Sequence, residues 1–221
     1  MKSNHPGSYN QNISYQLYLV SDQKVLKNRD FIKSLEQAIL GGVTMLQLRD
    51  KDASSKAFYT LAVEVKKLTE KYKIPLIIND RIDIALAVDA EGVHVGQQDI
   101  PIAVARRLIG PGKILGASTS TLEEAKKAEA EGADYIGVGA LFPTATKSNT
   151  RSVSLELLTA IKKSVSIPVV GIGGVSKNNI KSIITTGVDG VAVVSAILGK
   201  EDIREAAKEL NRFYITTGGN H

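Results

Sequence analysis

The chain has 221 residues, a formal net charge of +5, 43% hydrophobic and 23% charged residues, and no cysteine. That length buries one sizeable core, no apolar run reaches the ~20 residues of a membrane helix, and a cysteine-free chain excludes disulfides and fits a cytoplasmic protein. Lys and Arg are interleaved with acids, as in 64–73 and 122–132, and no tryptophan offers a stacking surface, so neither nucleic acid nor membrane is expected as a partner.

Residues 1–14 are polar and read as a flexible tail rather than a signal peptide. A β-branched and aromatic run follows at 15–20, then helical spacing at 30–40. The next run, "TMLQLR" (44–49), alternates: Gln47, Arg49 and Lys51 share a face with Met45, while Leu46 and Leu48 share the other. A strand with one apolar face that aims a glutamine and two cations the opposite way is directed at an anion. A helix over 56–72 leads to the strand 75–79, ending at Asn79 and Asp80. A short helix (82–88) leads to the strand 92–96, which is followed by Gln97, Gln98 and Asp99. Then come a helix (101–109), a strand ending at Ser118, a helix (121–131) and the strand 135–140. "LFPTATKSNTRSV" (141–153) is the longest polar connection and carries Thr144, Thr146 and Lys147. A helix (154–164), a strand running into "GIGG" (171–174), a helix (178–186) and the strand 190–195, ending at Val194 and Ser195, complete the pattern. Glycines at 41–42, 92, 132 and 187 are read as helix ends.

Eight short apolar strands alternating with helices predict a parallel sheet covered by helices. Closed on itself, the sheet is a single (β/α)8 TIM barrel over residues 15–212, with a flexible tail at 213–221. An open doubly wound sheet is the alternative, and the count of eight and the polar residues at many strand ends favour the barrel. In such a barrel the active site gathers at the C-terminal ends of the strands, so residues remote in sequence share one rim.

The candidates on that rim have bland readings as well. Asp80 and Asp99 could cap the helices that follow them. Paired among cations, they also suit Mg2+, which prefers hard oxygen ligands and keeps sites for phosphate and water. The "GIGG" turn and Ser195 fit a phosphate site built from backbone N–H groups. His94, inside a strand, reads as a hydrogen-bonded core residue rather than a general base. The rim thus holds two anion sites, a cationic one at strands two to four and one of backbone amides at strands seven and eight.

"QLRDK" (47–51), "IIND" (77–80), "GVHVGQQD" (92–99), "GAS" (116–118), "GADYIGVGALFPTATK" (132–147), "PVVGIGG" (168–174) and "GVAVVSAI" (190–197) occur in one order. In this the chain resembles the thiamine phosphate synthase family. The resemblance implies small-molecule substrates: a pyrimidinylmethyl diphosphate condenses with a (carboxy)thiazole phosphate, releasing pyrophosphate by a dissociative mechanism. It places Gln47, Leu48, Arg49, Asp50, Lys51, Asn79, Ser118 and Lys147 on the pyrimidine diphosphate, with Arg49, Lys51, Ser118 and Lys147 catalytic. Thr144, Ala145, Thr146, Gly174, Val194 and Ser195 would hold the thiazole phosphate, and Asp80 and Asp99 a Mg2+ cofactor. Members often carry a histidine where this chain has Ser120, which therefore receives no role. A tautomerase on the same barrel and a non-catalytic phosphate-binding barrel are the alternatives. Arg49→Ala is expected to cost more rate than an exposed helical change such as Lys66→Ala. Apolar helix faces serve the sheet as well as a partner copy, so a monomer and a homo-oligomer both fit.

Overall fold

All eight apolar runs form strands: β1 (Leu17–Val20), β2 (Met45–Leu48), β3 (Leu76–Asn79), β4 (Gly92–Val95), β5 (Ile114–Thr119), β6 (Tyr135–Val138), β7 (Val169–Ile172) and β8 (Gly190–Val193). A computed structural model describes residues 13–144 and 152–217. The strands are parallel and close in sequence order, with β8 returning to β1. That is the (β/α)8 barrel rather than the open sheet.

The alternation sorts side chains into two cores. Leu17, Leu19, Leu46, Leu48, Leu76, Ile78 and their counterparts point outward and bury against the helices. Tyr18, Val20, Met45, Ile77, Ile114, Tyr135, Val170 and Ala192 fill the barrel interior. The register sets Val20 opposite Gln47, Gln47 opposite Ile77, Asn79 opposite His94 and Ser118 opposite Gly137, so the polar inward residues lie above the apolar ones. Gly116 makes room for the bulkiest of them, because a Cβ there would lie 2.2 Å from the Tyr135 ring and 2.5 Å from His94 Nδ1.

The outer ring is α1 (Gln23–Leu26), α2 (Phe31–Leu40), α3 (Ser55–Tyr72), α4 (Ile82–Ala87), α5 (Ile102–Ile109), α6 (Leu122–Ala130), α7 (Leu155–Ser164), α8 (Ile180–Ile184), α9 (Ser195–Leu198) and α10 (Ile203–Thr217). Asp30, Ser54, Thr121 and Ser154 cap α2, α3, α6 and α7 by accepting a first-turn N–H. Ser120 belongs to one of these starts, since its N–H and hydroxyl both donate to Glu124, at 2.6 and 3.0 Å. Among the described residues no helix is long and apolar enough to cross a membrane.

Three local expectations change. The chain past 212 is not a tail from its first residue, because α10 runs to Thr217 and Tyr214 extends its buried face of Ile203, Ala207 and Leu210. Gly92 ends no helix; it opens β4, where a Cβ would lie 2.2 Å from the Ile114 carbonyl oxygen. Lys66 is no exposed control, because its side chain is 13% exposed and pairs with Glu91 and Glu70.

The N-terminal end of the barrel repeats one device. The residue before an even-numbered strand uses its side chain to accept an amide from the start of the preceding strand. Thr44 takes Leu17 N–H at 3.2 Å, Glu91 takes Leu76 at 2.9 Å, Asp134 takes Leu115 at 2.7 Å and Asp189 takes Val169 at 2.7 Å. Each carboxylate also holds a base from the helix layer: Lys66 on Glu91, Arg106 on Asp134 and Lys162 on Asp189. Strand ends that lack a ladder partner are thereby satisfied and the acids neutralised.

Candidate active site

At the opposite end the strands open into one cavity of about 180 Å³. Gln47, Arg49, Asn79 and Ser118 line one side, and Thr144, Gly174, Val194 and Ser195 the other. Residues of both anion sites read from the sequence therefore border a single space, while Asp80 and Asp99 do not line it. Lys51 and Asp50 line an adjoining groove that Arg49 and Ser195 also border. Ala145, Thr146 and Lys147 lie outside the described residues.

Arg49 is held by groups that sequence patterning did not reveal, and Lys51 by a rim acid that it did. The Arg49 backbone N–H donates to Ser21 Oγ at 3.0 Å, and its guanidinium stands 3.6 Å from the Asp22 carboxylate. Asp22 itself accepts from Lys24 N–H at 2.9 Å, starting α1. Lys51 pairs with Asp80.

Neither rim acid is a helix cap. The N-caps of α4 and α5 are Arg81 and Pro101, without side-chain hydrogen bonds. Asp80 sits at φ 59° and accepts from Asn79 Nδ2 at 3.0 Å; Asp99 accepts from Gly96 N–H at 2.8 Å. Burial, and after it the neighbouring Asp99 carboxylate, push Asp80 above the usual aspartate range, with Lys51 offsetting part of the rise. Two neighbouring carboxylates, Asp80 held by Asn79 and Lys51 and Asp99 by the Gly96 N–H, form a donor set that fits a hard divalent cation taking the place of the Lys51 ammonium. Among the described residues no group of three or more His, Cys, Asp or Glu could hold a metal, so such an ion would take its remaining ligands from phosphate and water.

Two members of the implied diphosphate set are turned elsewhere. Leu48 is fully buried in the outer core, as the alternation of "TMLQLR" requires, so its side chain cannot reach the cavity. Asp50 spends its carboxylate on its own loop, accepting from Asp52 and Ala53 N–H, each at 3.1 Å, and from Gln23. Gln97 is structural too, donating to the Ser118 carbonyl at 2.7 Å.

On the far side, the chain after β6 pairs with the chain after β7. Leu141 N–H donates to the Ile172 carbonyl and Phe142 N–H to that of Gly173, both at 3.0 Å. Gly174, at φ 65°, holds a backbone conformation that side chains disfavour, and Asn179 Nδ2 donates to its carbonyl at 2.9 Å. A Cβ at Gly174 would meet Phe142 and Pro143 at 2.7 Å. The glycine is thus required by this packing. His94 has both ring nitrogens engaged, with Tyr135 and with Ser118, each at 2.9 Å, as a hydrogen-bonded core residue should.

Comparison with known proteins gives concordant matches. A family model described as thiamine monophosphate synthase matches residues 17–197. A thiamine-phosphate synthase of Alkaliphilus oremlandii (strain OhILAs) is 65% identical over 202 residues, covering 91% of this chain and 97% of that protein. One from Clostridium tetani (strain Massachusetts / E88) is 54% identical over 206 residues, covering 93% and 99%. The solved structure of thiamine phosphate pyrophosphorylase from Pyrococcus furiosus superposes with a TM-score of 0.86 at 42% identity, covering 93% of this chain and 98% of that one.

Proposed function

The chain belongs to the thiamine monophosphate synthase family and is a transferase; from that premise we propose that it joins 4-amino-2-methyl-5-pyrimidinylmethyl diphosphate to a thiazole phosphate or its carboxylated form. The products are thiamine phosphate and pyrophosphate, with CO2 also lost from the carboxylated form. The observation that carries this reading is the single cavity bordered on one side by Gln47, Arg49, Asn79 and Ser118 and on the other by Thr144, Gly174, Val194 and Ser195.

The bond from the pyrimidine methylene to the diphosphate oxygen breaks, and its electron pair leaves with pyrophosphate. The thiazole nitrogen lone pair then captures the pyrimidinylmethyl cation. Negative charge concentrates on the leaving group, so Arg49 and Lys51 act where charge develops. A unit charge ~4 Å away contributes roughly 4 kcal/mol at an effective dielectric of about 20, before desolvation losses. Two such cations therefore supply several tenfold steps in rate at about 1.4 kcal/mol each. Asp80 and Asp99 would hold Mg2+, whose chemistry there is Lewis-acid stabilisation of the departing phosphate oxygens. Capture by an aromatic nitrogen lone pair needs no general base, in keeping with a His94 whose ring is already engaged.

The test is pyrophosphate release by the purified protein, working as a cytoplasmic enzyme would, in neutral Mg2+ buffer. Release that requires both substrates supports the proposal, and no release with both present sinks it.

A further inference from the structure

Side chains from five strands form one unbroken hydrogen-bonded chain across the floor of the cavity. Gln47 Nε2 donates to the Tyr18 hydroxyl at 2.7 Å, and Tyr18 meets the Tyr135 hydroxyl at 2.8 Å. Tyr135 meets His94 Nδ1 at 2.9 Å, and His94 Nε2 meets Ser118 Oγ at 2.9 Å. Tyr18 and Tyr135 are 1% and 0% exposed. Burial pushes both phenols well above their ordinary pKa, so each keeps its single proton.

One proton per hydroxyl gives the chain a direction. Tyr18 accepts from the Gln47 amide, so its own hydrogen goes to Tyr135. Tyr135 then gives its hydrogen to His94 Nδ1. A chain that opens on an amide donor has no slot for a second ring proton, so His94 carries its proton on Nε2 and donates to Ser118 Oγ. What remains for the cavity is the Gln47 carbonyl oxygen at one end and the Ser118 hydroxyl hydrogen at the other, both residues lining that space.

We propose that Tyr18, Tyr135 and His94 are positioning residues that lock the cavity floor as an acceptor at Gln47 and a donor at Ser118, selecting an aromatic ring with an N–H donor on one side and an unprotonated ring nitrogen on the other. This deepens the function proposed above and rests on it only for the identity of the ring. A 4-aminopyrimidine supplies that pattern. Its 4-oxo analogue sets a carbonyl acceptor against the Gln47 carbonyl, and a site built to receive an N–H rejects a ring that lacks it.

Two measurements test the proposal. Nitrogen-15 NMR of the ligand-free wild type, with the His94 signal assigned by its loss in His94→Asn, should show the neutral Nε2–H tautomer; the Nδ1–H tautomer overturns the proposal. In the second, wild type should prefer the 4-amino over the 4-oxo diphosphate by about 10,000-fold in kcat/KM. Tyr135→Phe should cut that preference at least about tenfold and raise KM for the pyrimidine substrate, while KM for the thiazole phosphate stays unchanged. Equal changes in both KM values, or an intact preference, overturn it. Tyr18→Phe carries the same test if Tyr135→Phe does not fold. Absence of pyrophosphate release by wild type would remove the functional reading yet leave the tautomer result standing.

Discussion

At the N-terminal end of the barrel, Glu91, Asp134 and Asp189 each accept a strand amide and each hold a base from the helix layer. At the C-terminal end, a half-buried Asp80 is set against an exposed Asp99, with Arg49 and Lys51 beside the cavity mouth. The same residue types serve opposite purposes. At the N-terminal end, charge is neutralised within the protein and contributes to stability. On the rim, Lys51 offsets only part of the burial and Asp99 repulsion acting on Asp80, and the remainder is what a divalent cation and a diphosphate can relieve. Removing a rim charge should therefore cost rate, and removing a charge at the N-terminal end should cost stability.

The largest separation is expected between Arg49→Ala and Asp134→Asn. The first should lower kcat/KM by about 100- to 1,000-fold and leave the melting temperature nearly unchanged, read by steady-state kinetics beside thermal unfolding. The second should leave kcat unchanged and cost about 3 kcal/mol in urea unfolding, because Arg106 loses its counter-charge and an amide NH2 replaces one carboxylate oxygen beside Arg106 and the Leu115 amide. A variant that lost both properties equally would erase the distinction between the two ends.

Asp80→Asn sharpens it further, since rate and stability should move in opposite directions. Its carboxylate sits above the usual aspartate range, chiefly through burial. The folded pKa exceeds the unfolded one, so the folded protein binds the extra proton and stability falls as pH rises between the two values. The loss is absent below about pH 4 and complete above the folded pKa. The variant should match wild type in melting temperature at low pH, melt at the same temperature or higher at neutral pH, and turn over more slowly. Thermal melts across that pH range decide it, and a variant that melts lower at neutral pH contradicts the assignment.

The smallest effect falls on the rim's backbone. Gly174→Ala brings a methyl against Phe142 and Pro143 and adds a side chain at φ 65°. It should destabilise by roughly 1–3 kcal/mol and raise KM for the thiazole phosphate more than for the diphosphate substrate. A change confined to the diphosphate KM would contradict the two-sided map of the cavity.

Much of this was legible in the sequence, because strand alternation is a local property. All eight strands could be read as continuous apolar runs, and "TMLQLR" showed by itself which residues face inward. The same alternation places Leu48 outward, although its neighbours in the motif face the cavity. Asp22, Ser21 and the Tyr18–Tyr135 pair were not legible. Their roles arise from closure of the barrel, which brings together side chains 27 to 117 positions apart. The four-residue helices α1 and α9 are too short for a periodic pattern. The buried face of α10 is legible in principle, since Ile203, Ala207, Leu210 and Tyr214 repeat at helical spacing.

The central claim, that the rim is electrostatically incomplete without a metal–diphosphate complex, is tested most directly by titrating wild-type protein with pyrophosphate in a calorimeter, with and without Mg2+. The account predicts binding that tightens at least about tenfold with Mg2+ and loses that gain in Asp80→Asn. Equal affinity with and without the ion would contradict it.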